Sequence, residues 1–268
     1  MLNSLPLKRM MSSVLLAGLM SGLVLTAVQK AQVSKIILQA EVYEDAVAAA
    51  ADAAVAPAAA IAPAAHSHPA GTPAHEHAHE AAVAGSDAHE GDAGHSHEHE
   101  WQPENGLQRT LFTALANVTM GVGFALLLAA AIVLRGGVAG WRAGLVWGLA
   151  GYVVFFAAPT LGLHPEIPGT EAAPLADRQL WWAMTAALSA GGLALLAFNK
   201  RTLLKLLGAV LLVLPHLIGA PQPAVHGSAA PAELAQAFIY ASALANVVFW
   251  LTLGGLLAYF YKRFGNGS

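Results

Sequence analysis

Nine of the chain's twelve histidines lie between His66 and His99. They come as His66-x-His68, His75-x-His77-x-His79 and His95-x-His97-x-His99, with His89 standing alone. Glu76, Glu80, Glu98 and Glu100 are interleaved with them or adjoin them. On an extended chain alternate residues face the same way, so each run presents several imidazoles together. Neutral imidazole is a common ligand for divalent transition-metal ions, and with an ordinary pKa of about 6.5 it is largely free to bind at neutral pH. The surrounding residues, from about Ala46 to Glu100, are Ala, Pro, Gly, His and acidic residues with neither a helical nor a strand period. Such a composition does not repay the entropy of ordering, and a disordered segment is expected. A solvated linker is the plainer reading of it. Three closely spaced histidine runs favour metal capture, of an unselective kind, because a disordered site imposes no geometry.

A second set of candidates lies near the ends of apolar stretches. In "LVLPHLIGAPQPAVHG" His216 directly follows Pro215, whose missing amide hydrogen leaves the Leu211 carbonyl without its helical donor. A broken helix beside a polar side chain is one way transporters build ion sites. A histidine at a helix end is equally well explained as an interfacial residue. His226 and Glu233 belong to the same connection, "APTLGLHPEIPG" supplies His164 and Glu166, and "ILQAEVYEDA" supplies Glu41 and Glu44. Glu41, Glu44, His164, Glu166, His216 and His226 are thus the candidates for one divalent-cation site at a common mouth. Asp177 and Arg178 read as a solvated pair at a helix start. Asn117 and Asn246 read as amides joining helices within the membrane.

The elements that position these residues are membrane spans. The chain has 268 residues, of which 56% are hydrophobic and 11% charged. Soluble domains carry about 25% charged residues. Apolar stretches near the roughly 20 residues needed to cross a bilayer occur at Ser12–Val28, Thr110–Leu134, Gly144–Leu163, Gln179–Phe198, Thr202–Ala220 and Leu234–Tyr261. The expected fold is an all-α integral membrane bundle of six helices, or five, with a long His-rich loop after the first. Lys8 and Arg9 before a short apolar stretch also resemble a secretory signal peptide, although the stretch lacks a clean small-x-small exit. Three parts follow: residues 1–45 as first helix and outer extension, 46–100 as the loop, and 101–268 as a five-helix core. Gly18-x-x-x-Gly22 and Gly140-x-x-x-Gly144-x-x-x-Gly148 offer small faces for close helix contact.

Charge fixes an expected orientation. Lys8, Arg9, Arg135, Arg142, Lys200, Arg201, Lys205, Lys262 and Arg263, nine of thirteen cations, fall at one end of such a bundle. Every Asp and Glu, from Glu41 to Glu233, and all twelve histidines fall at or beyond the other end. Positive residues favour the cytoplasm, so both termini are expected there and the His-rich loop outside, as in a multi-pass protein of a bacterial inner membrane.

Absent patterns narrow the chemistry. The chain has no cysteine, which removes disulfides, thiolate ligands and thiol catalysis. It has no G-x-x-x-x-G-K-[ST], no H-E-x-x-H and no G-x-S-x-G elbow. Neither a prosthetic group nor a nucleic-acid partner is expected.

Several blocks, among them "ILQAEVYE", "EWQPENGLQRTLFTALANVTMGVGFALLLA", "WRAGLVWGLAGYVVFFAAPTLGLHPEIPG", "ADRQLWWAMTA", "LPHLIGAPQPAVHG" and "PAELAQAFIYASALANVVFWLTLG", resemble the CbtA family of predicted cobalt transporter subunits. The resemblance spans nearly the whole chain in order, apart from the His-rich insert. It implies an inner-membrane protein of five or six helices that supplies cobalt for cobalamin synthesis. It also implies a small single-span partner of the CbtB-like kind, with its own histidine motif.

The function expected is a subunit of an uptake system for cobalt or a similar divalent cation, with nickel and zinc satisfying the same residues. Its partners are then the metal ion, the lipid bilayer, the small CbtB-like protein and, as an open possibility, a second copy of the chain. The alternative is a non-transporting membrane scaffold that buffers metal. A membrane enzyme using His164 and His216 as acid–base groups is a weaker third reading.

Overall fold

The computed structural model describes residues 4–55 and 103–265. The histidine runs from His66 to His99 lie outside the described residues. The first helix, α1 (Ser4–Val28), does not stop where its polar interruption Gln29-Lys30-Ala31-Gln32 begins. It passes through a π turn (Gln29–Val33) into α2 (Ser34–Val55). Residues Ala46 to Val55, expected to be disordered, are therefore helical. The reason is composition: the run is mostly Ala, the strongest helix former, and it holds neither Gly nor Pro.

After the undescribed segment come α3 (Leu107–Leu134) and α4 (Trp141–Tyr152), the latter continuing through a second π turn (Val153–Ala157) into the short α5 (Ala158–Thr160). Then follow α6 (Leu175–Phe198), α7 (Thr202–Ile218) and α8 (Ala232–Gly265). The described residues form no β-strand beyond an isolated bridge between Thr170 and Ser228. Among the described residues five stretches are long and apolar enough to cross a membrane: Lys8–Ala54, Leu107–Leu134, Trp141–Thr160, Leu175–Phe198 and Ala232–Phe264. The fifth expected span is the shorter apolar α7, 17 residues, or about 26 Å at the helical rise.

The described residues up to Ala49 and from Pro103 onward form one compact unit, and Ala50 begins another. Within the first unit α1 packs between α3 and α8, α4 lies along α8, and α6 pairs with α7 while touching the second π turn and α5. Val14, Leu25, Ile132, Phe249, Trp250 and Leu253 form the centre of the core. Small residues set the distances. A Cβ on Gly18 would stand 2.6 Å from Val122 Cα, and one on Gly22 2.6 Å from Val118 Cα, so α1 and α3 touch backbone to backbone. Gly144 and Gly148 meet Gly254 in the same way across α4 and α8. Both glycine patterns of the sequence thus serve helix packing.

Buried polar groups on the α1 side of the bundle are partnered. Ser13 Oγ donates to the Arg9 carbonyl at 2.9 Å, Ser21 Oγ to Ala17 at 2.6 Å, and Thr26 Oγ1 to Gly22 at 2.9 Å. Asn117 joins helices as expected, its Nδ2 donating to Thr26 Oγ1 at 3.0 Å and Gln29 Oε1 at 2.6 Å. Asn246 does not. Its Nδ2 donates 3.0 Å to the Ser242 carbonyl one turn back in its own helix, which satisfies the amide locally.

The chain's alternating course gathers Lys8, Arg9, Arg135, Arg142, Lys200, Arg201, Lys205, Lys262 and Arg263 at one end, while Arg109 and Arg178 lie at the other. At the first end Lys262 Nζ donates to the Ala139 carbonyl at 2.5 Å, and the Arg135 guanidinium lies 3.9 Å from the Phe198 ring centre. The opposite end carries Glu41, Glu44, Glu166, Glu171 and Asp177 and the connections that hold His164, His216 and His226.

Candidate functional site

At that acidic end two connections are tied together. The Glu171 amide donates to the Gly227 carbonyl and the Ala229 amide to the Gly169 carbonyl, each at 2.9 Å, around the Thr170–Ser228 bridge. The loop after α5, carrying His164, is thereby held against the loop after α7, carrying Gln222 and His226. Gly169 sits in this tie at φ +73°, a left-handed conformation that glycine adopts without strain.

Between α5, α6 and α7 lies a recess of about 350 Å³ lined by Leu161, Gly162, His164, Trp181, His216, Ala220 and Gln222. His164 is exposed and His216 half-buried. His216 is set there by the last turn of α7, with Pro215 fully buried beneath it. Its ring meets Trp181 edge to face, centroids 6.1 Å apart at 67°. Trp181 is only 5% exposed, and its indole Nε1 is buried with no hydrogen-bond partner. Indole nitrogens inside proteins are usually satisfied, and this one meets no partner among the described residues. Gly162 makes room for that indole, since a Cβ there would overlap the Trp181 ring.

The six candidates of this end do not all meet. Only His164 and His216 share the recess. Glu41 is held by Arg109 through both terminal guanidinium nitrogens, and Glu166 accepts from Arg178 Nη1 at 2.8 Å, so both carboxylates already face a cation. Arg178 therefore engages Glu166 rather than pairing with its neighbour Asp177, because the bridge-tied loop folds Glu166 back over the start of α6. Glu44 is exposed and packs against Gly169, and the exposed His226 adjoins the bridge at Gly227. The described residues hold no group of three or more His, Asp or Glu placed to bind a metal ion. What they hold is a two-imidazole recess with the Gln222 side chain in its lining.

A second recess of about 360 Å³ opens beside the first π turn, lined among others by Thr26, Gln29, Lys30, Arg109, Thr110 and Asn117. Lys30 Nζ donates to Thr110 Oγ1 at 3.1 Å. With an ammonium and a guanidinium in its wall, this recess repels a divalent cation at close range. The histidine recess carries neither an ammonium nor a guanidinium in its lining.

Sequence reasoning singled out His164 and His216 but neither Trp181 nor Gln222. The spacing that places Trp181, Thr185 and Ser189 on one face of α6 was visible, but nothing marked their polar atoms as unpartnered.

The class defined by these helices is a polytopic all-α membrane protein, with five candidate spans and a shorter apolar helix. The chain belongs to the CbtA family, described as a probable cobalt transporter subunit, whose family model matches residues 7–262. No curated protein and no solved structure matches it.

Proposed function

We propose that this protein is the membrane subunit of an uptake system for cobalt or a similar divalent cation, and that its histidine recess receives the ion on the outer face. The observation that carries the reading is the pairing of His164 and His216 in one recess, against a buried indole donor, at the end of the bundle that is rich in carboxylates. Family membership supplies the class of cargo. The distribution of Lys and Arg supports placing both termini in the cytoplasm and the recess outside.

The segment from Ala46 to Glu100 then collects metal on the outer side, and its nine histidines raise the local concentration at the mouth. His66, His68, His75, His77, His79, His89, His95, His97 and His99 bind weakly and exchange. His164 and His216 take the ion from them, with Glu44 and His226 at the rim. Glu41 and Glu166, each held by an arginine, shape this mouth rather than ligate. A doubly charged ion gains roughly 4.6 kcal/mol per 100 mV on moving inward, so the membrane potential is sufficient to drive accumulation. The small single-span partner completes the system.

The test is uptake of radiolabelled cobalt by cells expressing this chain with and without its small partner, against an empty vector, with nickel and zinc as competitors. Cobalt accumulation that depends on the chain and is lost in His216→Ala is the expected result. Accumulation equal to the vector in both settings would remove the reading.

A further inference from the structure

Four side-chain atoms among the described residues are buried without a hydrogen-bond partner, and all four belong to α6: Arg178 Nε, Trp181 Nε1, Thr185 Oγ1 and Ser189 Oγ. At 3.6 residues per turn these positions fall within one narrow stripe of the helix. Thr185 and Ser189 are fully buried, at 0% exposure. Buried hydroxyls elsewhere in the chain behave differently, since Ser13, Ser21 and Thr26 each donate to the carbonyl one turn back. Thr185 and Ser189 have forgone that local bond, at the desolvation cost a buried orphan hydroxyl carries.

Contacts above and below locate the stripe. Toward the acidic end Trp181 meets His216 of α7. Two to three turns further along, a Cβ on Gly192 would stand 2.7 Å from the Gly208 carbonyl oxygen and 2.9 Å from Leu212 Cγ of α7. On the neighbouring face Trp182 meets Phe155 of the second π turn, ring centres 6.2 Å apart. Thr185 and Ser189 thus lie in the wedge between α7 and the π-turn segment. Both of those walls are interrupted helices. Pro215 deprives the Leu211 carbonyl of its amide in α7, and the π turn leads directly into Pro159, and both prolines are fully buried. Irregular backbone at membrane depth is tolerated where it is buried in protein or lines a polar cavity, and broken helices there build the ion sites of transporters.

We propose that Thr185 and Ser189 form an oxygen-lined step inside the bundle, which takes the divalent cation onward from the His164–His216 recess toward the basic end. The step rests on the uptake reading and adds to it the inward route. Neutral hydroxyl oxygens are weaker donors than imidazole to a late divalent transition-metal ion, so an ion passed to them leaves readily.

The experiment uses the full chain, co-expressed with its small partner, carrying Thr185→Val and Ser189→Ala singly and together, with Thr185→Ser as the conservative control. Cobalt uptake gives KM and Vmax, and thermal unfolding in detergent gives Tm. The double variant is expected to lose about tenfold or more in Vmax at unchanged KM. Its Tm should hold or rise, because each substitution removes an orphan hydroxyl, and Thr185→Ser should keep parental uptake. Uptake by the double variant within about twofold of the parent overturns the proposal while the uptake reading stands. So does a loss of uptake that comes with a lowered Tm, which would assign the hydroxyls to structure. Parental uptake no higher than the vector overturns both.

Discussion

Arg109, in the first turn of α3, holds Glu41 of α2 through both terminal guanidinium nitrogens, with Nη1 to Oε2 at 3.0 Å and Nη2 on Oε1, while Nη1 also donates to Asn105 Oδ1 at 2.8 Å. The paired geometry belongs to arginine alone, because an ammonium cannot span two carboxylate oxygens in one plane. Arg109→Lys should therefore lower stability nearly as much as Arg109→Ala. The side chains are 36% and 28% exposed, so solvent screening limits the effect to about 1 kcal/mol or less. A double-mutant cycle of Arg109→Ala with Glu41→Ala, followed by thermal unfolding in detergent, measures it. Glu41→Gln should also reduce cobalt uptake far less than His216→Ala, since the carboxylate is already committed to Arg109.

The contact between α4 and α8 depends on missing side chains. A Cβ on Gly254 would stand 2.7 Å from the Gly148 amide nitrogen, and one on Gly148 would overlap the Trp250 carbonyl oxygen. Neither atom is the end of a flexible side chain, so relief requires the helices to part. Gly148→Val and Gly254→Val should each cost about 2 kcal/mol or more and reduce the amount of folded protein in the membrane. Gly123, with nothing within 4 Å of an added Cβ, is the matched control and should accept Ala without loss.

Hydropathy made most of this bundle legible, and the limits of legibility have identifiable causes. The cores of α3, α6 and α8 lie in long runs with no charge, so the sequence places them directly. The course from α1 into α2 was hidden by Gln29, Lys30 and Gln32, which look like a span end. The helix persists because no Gly or Pro breaks it and a π turn absorbs the polar residues. At the site, Pro215-His216 and His164-Pro165-Glu166 pointed to one mouth, and the two histidines do share it. The carboxylates expected beside them are held elsewhere, because Arg109 and Arg178 approach from helices that sequence cannot bring near Glu41 and Glu166. Thr185 and Ser189 gave no signal, since a hydroxyl inside a helix normally bonds its own backbone and only the fold reveals one that does not.

Gly162 controls the shape of the histidine recess. An added Cβ would overlap the Trp181 ring and stand 2.9 Å from Ala220 Cβ. Trp181 lines the recess, so an indole pushed into it would narrow the space beside His164 and His216. Gly162→Val should therefore abolish cobalt uptake while the protein still reaches the membrane at near-parental levels. Uptake and membrane content measured on the same cells separate that outcome from misfolding, and Trp181→Phe in the Gly162→Val background should restore part of the uptake by shortening the wall.

The collector segment and the recess make opposite demands on metal concentration, and that difference is measurable. A segment that only raises the local concentration of metal contributes most when external cobalt is scarce and little when it is abundant. Deleting residues 46–100 should raise the apparent KM for cobalt several-fold and leave Vmax near parental, the signature of lost capture with the route intact. His216→Ala removes a ligand that every transported ion meets, so uptake should fall at all concentrations, and excess cobalt should not restore it. Measured side by side over a wide range of cobalt, the two variants discriminate a transporter from a scaffold that merely buffers metal. In a scaffold the deletion would be the damaging change and His216→Ala nearly silent, because all of the protein's metal would then reside on the segment that the deletion removes.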